Sequence, residues 1–543
     1  MMNKFSLLFL VAILVTGLDC LAQLNGDVPR VKVENGVLEG VNSSGVKVFK
    51  GVPFAAPPVG ALRWKEPQPV KNWEGVRKAV AFGPNAMQNN VFGDMNFGTT
   101  ENSEDCLYLN IWTPAVTGSE NLPVLVYFHG GGLMAGSGSE PRYAGESMAR
   151  NGIISITVNY RLGIFGFFAH PELTKESLHH ASGNYGFLDQ VASLVWIKNN
   201  IKAFGGDPNR VTIAGESAGS ISVSALMCSP LSKNLIAGAI SSSGSLMGAL
   251  SPIILADAEK NGAKVATDLG ASSLEALRGI PAEKLLQVKG QFSTAIDGYF
   301  IPKAPVEIYA NGEQAKIPLL IGWNSEEMVS MFFLRGKQPT VANFKEMAKT
   351  TFGDKADKIA ELYKVTDDAS VTDAATALAS DMFIGFSTWK WSDLHKKTGG
   401  GKPVYRYLYS HPRPDMVATM AGKTPGLAGG VQDANKSDAF KMPKPKGAVH
   451  SADIEYAMGT LPTNRVYDWQ PEDYIVSEIF QTYYLNFVKT GNPNSLGVPQ
   501  WSAINNQATA PVLQLDVNTR VKSDVDLEKR YEFLDEFYFP AKK

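Results

Sequence analysis

The chain is 543 residues long, 44% hydrophobic and nearly neutral, with a formal charge of −2. That length supports a large buried core, and the interspersed Lys, Arg, Asp and Glu exclude the basic surface of a nucleic-acid binder.

The first residues, MMNKFSLLFLVAILVTGLDCLAQ, carry a lysine, an apolar stretch from Phe5 to Leu18 and small residues at Cys20 and Ala22. This is the pattern of a secretory signal peptide (residues 1–22) cut after Ala22, leaving residues 23–543 as one mature domain that is secreted or periplasmic. A membrane anchor is the rival reading, but about 14 apolar residues are too few to span a bilayer. A lipoprotein site at Cys20 is weakened by Asp19 beside it. Cys106 and Cys228 then remain, and a chain of this size needs no staple, so two buried thiols are expected.

From Val31 to Trp73, short strands alternate with turns, and Pro57-Pro58 fixes an extended connector. Glu101–Trp112 is polar and then a strand. Pro123–His129 (PVLVYFH) is a continuous apolar run ending at three glycines, as a parallel strand buried on both faces would. Ile153–Tyr160 reads the same way. Gly186–Phe204 places Leu188, Val191, Ala192 and Val195 at helical spacing, and Gly205-Gly206 stops it. Later strands fall at Ile317–Trp323, Pro403–Tyr409 and Pro511–Asp516, with a long helix near Asp473–Thr490. This alternation predicts an α/β fold: a mostly parallel sheet covered on both faces. Residues 412–449 are the exception, rich in Gly, Lys, Pro and Ala with no periodic apolar face. Such a loop is expected either to cover a site or to be a mobile surface insertion.

The stretch with most chemical content is Arg210–Ala225, RVTIAGESAGSISVSA. A β-branched strand runs into Gly215-Glu216-Ser217-Ala218-Gly219 and then a helix of small residues, the setting required of a G-x-S-x-G nucleophile elbow. A serine needs a base, and the base a carboxylate, following in the order serine, acid, histidine. His395, His411 and His450 come late enough. His395 suits a solvated helix C-terminus and His411 a strand edge, so His450, between a Gly-containing loop and SADIEYAMG, leads. The acid is Glu326 or Glu327, directly after a strand, with Asp297 of an Asp-Gly turn as competitor. His129-Gly130-Gly131-Gly132 follows a buried strand and reads as an oxyanion loop, with the Ala218 N–H as a further donor.

The ordered set FKGVPFAAPPVGALRWKEP, SEDCLYLNIW, HGGG, VNYRLGIFGF, GNYGFLDQ, FGGDPNRVTIAGESAGS, GWNSEE, HSADIEY and TGNPN resembles the type-B carboxylesterases of the α/β-hydrolase fold. That group includes cholinesterases and bacterial para-nitrobenzyl esterases. The resemblance covers nearly all of the mature chain and implies a mostly parallel central sheet, helices on both faces and a small N-terminal sheet. It implies Ser217 as nucleophile, His450 as base and Glu327 rather than Glu326 as acid, with Gly131, Gly132 and Ala218 as oxyanion donors. It also implies scaffold ion pairs Arg63–Glu104 and Arg161–Asp189. The chain departs from the pattern at Met328 and Ser451, where glycines are frequent, and at Leu133, where an aromatic is frequent and the acyl side is expected to change shape. Ala86 stands where the family often has a cysteine paired with the Cys106 position. Between Asn85 and Asn102 the only aromatics are Phe92 and Phe97, with no tryptophan to bind a choline cation.

The expected activity is hydrolysis of carboxylic esters through an acyl-enzyme, with the base titrating near pH 7. The expected partners are a small-molecule ester and water. No metal or organic cofactor, nucleic acid or stable membrane anchor is expected, and the chain is expected to act as a monomer. Two alternatives remain open: a binding or adhesion protein on an esterase scaffold, and an amidase or thioesterase with the same machinery.

Overall fold

The computed structural model describes residues 28–248, 251–290, 292–433, 444–506 and 511–540. Residues 1–22, where a signal peptide is expected, and the expected cleavage site after Ala22 lie outside them. Eleven strands form one large mixed sheet. In chain order they are β1 (Val41–Ser43), β2 (Val46–Pro53), β3 (Tyr108–Thr113), β4 (Leu122–Phe128), β5 (Ile154–Val158) and β6 (Gly206–Glu216). They continue with β7 (Gly238–Ser242), β8 (Leu319–Asn324), β9 (Val404–Tyr409), β10 (Val512–Leu515) and β11 (Arg520–Lys522). Their spatial order is β11-β10-β9-β8-β7-β6-β4-β5-β3-β2-β1. Pairing is parallel from β5 through β10 and antiparallel at both margins. Arg30–Val33, Gly36–Glu39 and Val76–Lys78 make the small N-terminal sheet.

The apolar run of β4 explains the layering. Val124, Val126 and Phe128 enter one core, while Leu125 and Tyr127 enter the other, because side chains alternate between the faces of a strand. The first core is covered by helix α1 (Tyr185–Asn200) and helix α2 (Ala218–Cys228). The second is covered by helix α4 (Pro471–Thr490), through Val476, Phe480, Tyr483 and Phe487. Helix α3 (Phe386–Thr398) packs beside β8 and β9. Fully burying one such aliphatic or aromatic side chain contributes roughly 1.5–3 kcal/mol, so two covered faces account for the continuous hydrophobicity of the central strands.

Element ends follow local chemistry. After α1 the chain tightens into a 3-10 turn, Ile201–Phe204, and stops at Gly205 with φ +85°, a backbone that glycine adopts without strain. Helix α4 ends at Gly491 in the same way.

His395 differs from its expected place. It is fully buried in the last turn of α3, with Nε2 2.9 Å from the Ile317 carbonyl oxygen and Nδ1 3.3 Å from Gln314. Burial lowers its pKa and keeps it neutral. The two scaffold ion pairs are present: Arg161 grips Asp189 through Nε and Nη2 at 2.8 Å each, and Arg63 grips Glu104. Cys106 and Cys228 are unpaired and buried. Ala86 and Cys106 line one small cavity.

Candidate active site

Ser217 sits between β6 and α2 with φ +55° and ψ −119°, a conformation a side chain adopts only when its surroundings enforce it. Two close approaches do so. A Cβ on Gly215 would stand 2.4 Å from the Gly219 carbonyl carbon, and one on Gly219 would stand 2.0 Å from the Phe128 carbonyl oxygen. Only glycine fits at either place, so helix α2 can press against the end of β4. The Ser217 N–H is tied to the Ser242 carbonyl at 2.9 Å.

His450 Nε2 lies 3.0 Å from Ser217 Oγ, and His450 Nδ1 lies 2.6 Å from Glu327 Oε2. Glu327 is buried, and its Oε1 accepts from the Ser243 hydroxyl and from the Asn324 N–H. Of the three candidate histidines only His450 reaches the serine; His411 is bound instead to Asp473 at 2.7 Å. Of the three candidate acids only Glu327 reaches the histidine. Glu326 accepts from the Lys446 and Gly447 N–H groups and pairs in parallel with Val449, which pins the loop leading to His450. Asn324 Nδ2 donates to the Val449 carbonyl in the same splice. Asp297 caps its own turn, accepting from Tyr299, Ile301 and Asn184.

The glycine loop leaves the end of β4. Gly131 has φ +105° and its carbonyl accepts from Met134 and Ala135, while Gly132 has φ +66°. Both glycines line the same cavity as Ser217, and Ala218 opens α2 beside it. His129 supports the loop from beneath: its ring stacks on Tyr160 at 4.4 Å, and burial lowers its pKa to about 4, leaving it neutral. Leu133, where the family often has an aromatic, is absent from the cavity wall. That side chain turns into the core with φ +59°, and Phe92 and Met95 form the wall instead.

The cavity holds about 270 Å³ and is mostly apolar, with Met328, Phe383, Leu427 and Ala428 completing it. The last two belong to residues 412–449, so this segment forms part of the site's wall. It contributes a hairpin, Lys423–Pro425 with Val431–Asp433, and is fastened by Asp94, which accepts from the Ala428 and Gly430 N–H groups. Its stretch 434–443 lies outside the described residues.

Sequence reasoning missed Glu216, although it lies inside the motif. Its Oε1 stands 3.3 Å from His450 Nε2, and burial pushes its pKa up to about 8 against the pull of the imidazole. Burial opposes charge on His450 too, but Glu216 and then Glu327 outweigh it and raise the imidazole to about 9. The expectation of a base titrating near 7 is therefore corrected upward. Nothing in a linear pattern marks which residue of G-x-S-x-G will face the base.

A serine, an imidazole and a buried carboxylate in line, with glycine amides beside them, define an acyl-transfer hydrolase. The chain belongs to the carboxylesterase family, whose model matches residues 27–534. It is 40% identical over 396 residues to the fumonisin B1 esterase of Sphingopyxis macrogoltabida, covering 69% of this chain and 70% of that protein. It is 31% identical over 535 residues to the para-nitrobenzyl esterase of Bacillus subtilis, covering 94% and 99%. A solved PNB esterase superposes with a TM-score of 0.76 at 30% identity, covering 95% of this chain and all of that one. The fold is the α/β-hydrolase fold and the protein is a carboxylic ester hydrolase. Among the described residues no helix is long and apolar enough to cross a membrane.

Proposed function

We propose that Ser217, His450 and Glu327 hydrolyse carboxylic esters in two steps through an acyl-enzyme on Ser217. His450 takes the proton from Ser217 Oγ as the oxygen attacks the ester carbonyl, and Glu327 holds the imidazole tautomer and stabilises the imidazolium. The tetrahedral oxyanion is received by the N–H groups of Gly131, Gly132 and Ala218, each worth roughly 3–4 kcal/mol of transition-state stabilisation. The alcohol leaves with the proton from His450 Nε2, and water then repeats the sequence on the acyl-enzyme. The observation that carries this reading is the unbroken contact Ser217 Oγ to His450 Nε2 at 3.0 Å and His450 Nδ1 to Glu327 Oε2 at 2.6 Å. The intact serine also weighs against a purely adhesive role on the same scaffold.

The leader-like sequence supports export of the mature domain, residues 23–543. The test is a serine-directed phosphonate with peptide mapping. It should label Ser217 and abolish ester turnover, and the Ser217→Ala protein should stay folded, unlabelled and inactive. Hydrolysis retained by Ser217→Ala moves the nucleophile elsewhere.

A further inference from the structure

Alongside Ser217 and His450, the catalytic cavity is lined by a guanidinium. Arg142 lies on its wall and also on the wall of a second cavity of about 480 Å³ that shares Ala428 with the first. The ester chemistry proposed above gives this cation no task. It is buried, and its Nε donates to Glu140 at 2.9 Å while Nη1 makes only a long contact of 3.4 Å with the Ser451 hydroxyl. Among the described residues no hydrogen bond is made by its Nη2.

A second guanidinium stands behind it. Arg413 donates through Nη2 to Glu455 at 2.8 Å and to the Ser451 carbonyl at 3.1 Å, and its Nε and Nη1 are buried without partners. Glu455 is already satisfied at both oxygens, by Arg413 and by Asn464 at 2.8 Å. Gly429 permits the approach of all three. With φ +86°, a Cβ there would stand 3.1 Å from Glu455 Oε1, 3.2 Å from Arg413 Nη2 and 3.6 Å from Arg142 Nη1. On the wall next to the nucleophile, Arg142 therefore keeps a guanidinium edge that the protein's own acceptors use only weakly. Glu140 is the ion-pair partner of Arg142, and Glu140, Glu455 and Glu216 together keep the guanidinium charged despite its burial. Three acceptor atoms are buried without hydrogen-bond partners, Asp94 Oδ1 and Glu140 Oε1 along the second cavity and Glu216 Oε1 on the wall of the first, so an ammonium-bearing ligand is the competing occupant.

We propose that Arg142 is a specificity-determining residue that binds a carboxylate carried by the ester substrate, making this an esterase for acidic esters. The inference rests on the ester-hydrolase reading. Arginine suits the task because its planar fork meets a carboxylate with two parallel hydrogen bonds, and such charge-assisted bonds strengthen where water is excluded. The small apolar remainder of the cavity then limits the rest of the acyl or alcohol group to a few carbons.

The test compares matched esters that release a chromophore. On the acyl side these are the 4-nitrophenyl ester of hydrogen glutarate, its methyl-capped neutral form and a trimethylammonio-pentanoate. On the alcohol side they are 4-carboxyphenyl acetate and its methyl-capped form. Each kcat/KM is divided by the rate of hydroxide hydrolysis of the same ester. At least one anionic ester should exceed its neutral partner roughly tenfold or more. That ratio should collapse towards one in Arg142→Gln and survive in part in Arg142→Lys. Free glutarate should also inhibit the wild-type protein competitively while glutaramide does not, a readout that needs no variant. Equal rates within both pairs, preference for the ammonium ester, or an undiminished ratio in a folded Arg142→Gln protein would overturn the inference and leave the esterase standing. Failure to cleave any of the esters would instead sink the esterase reading.

Discussion

Replacing Glu216 by Gln removes one charge 3.3 Å from His450 Nε2 while keeping the side chain's shape. Two unit charges at that separation attract by about 5 kcal/mol at an effective dielectric near 20. Burial of both groups opposes this, and an opposite charge at such range typically moves a pKa by about 1–3 units. The sign is fixed by the role of the base, which accepts a proton only when neutral. A raised imidazole pKa, about 9 here, pushes the acid limb of kcat/KM to higher pH. Glu216→Gln should bring that limb down by at least about one unit. The same charge stabilises the imidazolium formed in the transition state, so the high-pH plateau should fall as the limb moves. The assay is the pH profile of kcat/KM for a neutral 4-nitrophenyl ester, with the pH dependence of phosphonate inactivation as an independent probe of the free base. A limb that stays within about 0.3 unit of the wild type, or moves upward, would refute this account of the site's electrostatics.

Glu327→Gln should lower kcat about 10⁴-fold by losing the imidazole's tautomer and charge partner. Glu326→Gln, one residue away, should cost less than about tenfold, because it keeps an acceptor for the Lys446 and Gly447 N–H groups; parallel kinetics of the two decide it. Gly219→Ala should destabilise the fold by about 3 kcal/mol or more, since the added carbon meets backbone 2.0 Å away, and urea denaturation measures it. Burial raises the pKa of both thiols, so Cys106 and Cys228 should resist a disulfide-exchange reagent in the native protein and react fully after unfolding. Rapid reaction of either in the native state would contradict the buried assignment.

The central strands were readable because a parallel strand covered on both faces leaves an unbroken apolar run, as Leu122–Phe128 does. The elbow was readable because its glycines answer a local steric demand. The choice among His395, His411 and His450 was not decided by residue pattern alone, since contacts across more than two hundred positions separate them and periodicity carries no such information. His395 shows the cost: a helix-terminal histidine followed by lysines looks solvated, yet Ile317 and Gln314 close over it. The wall contributed by Leu427 and Ala428 was equally hidden, because a stretch rich in Gly, Lys and Pro has no periodicity to betray an inward face. Glu216, Ser243 and Arg142 became functional candidates only through proximity.

The short splice between Glu326 and Val449 has an evolutionary corollary. It ties Val449, next to His450, to the segment that carries Glu327, while on the other side the Ser451 hydroxyl donates to the Leu427 carbonyl and the Ser451 carbonyl accepts from Arg413. Natural variation at Arg413 or Leu427 is thus expected to act on the cavity wall and on the setting of the histidine together, so selectivity and chemistry are inherited as one unit in this stretch.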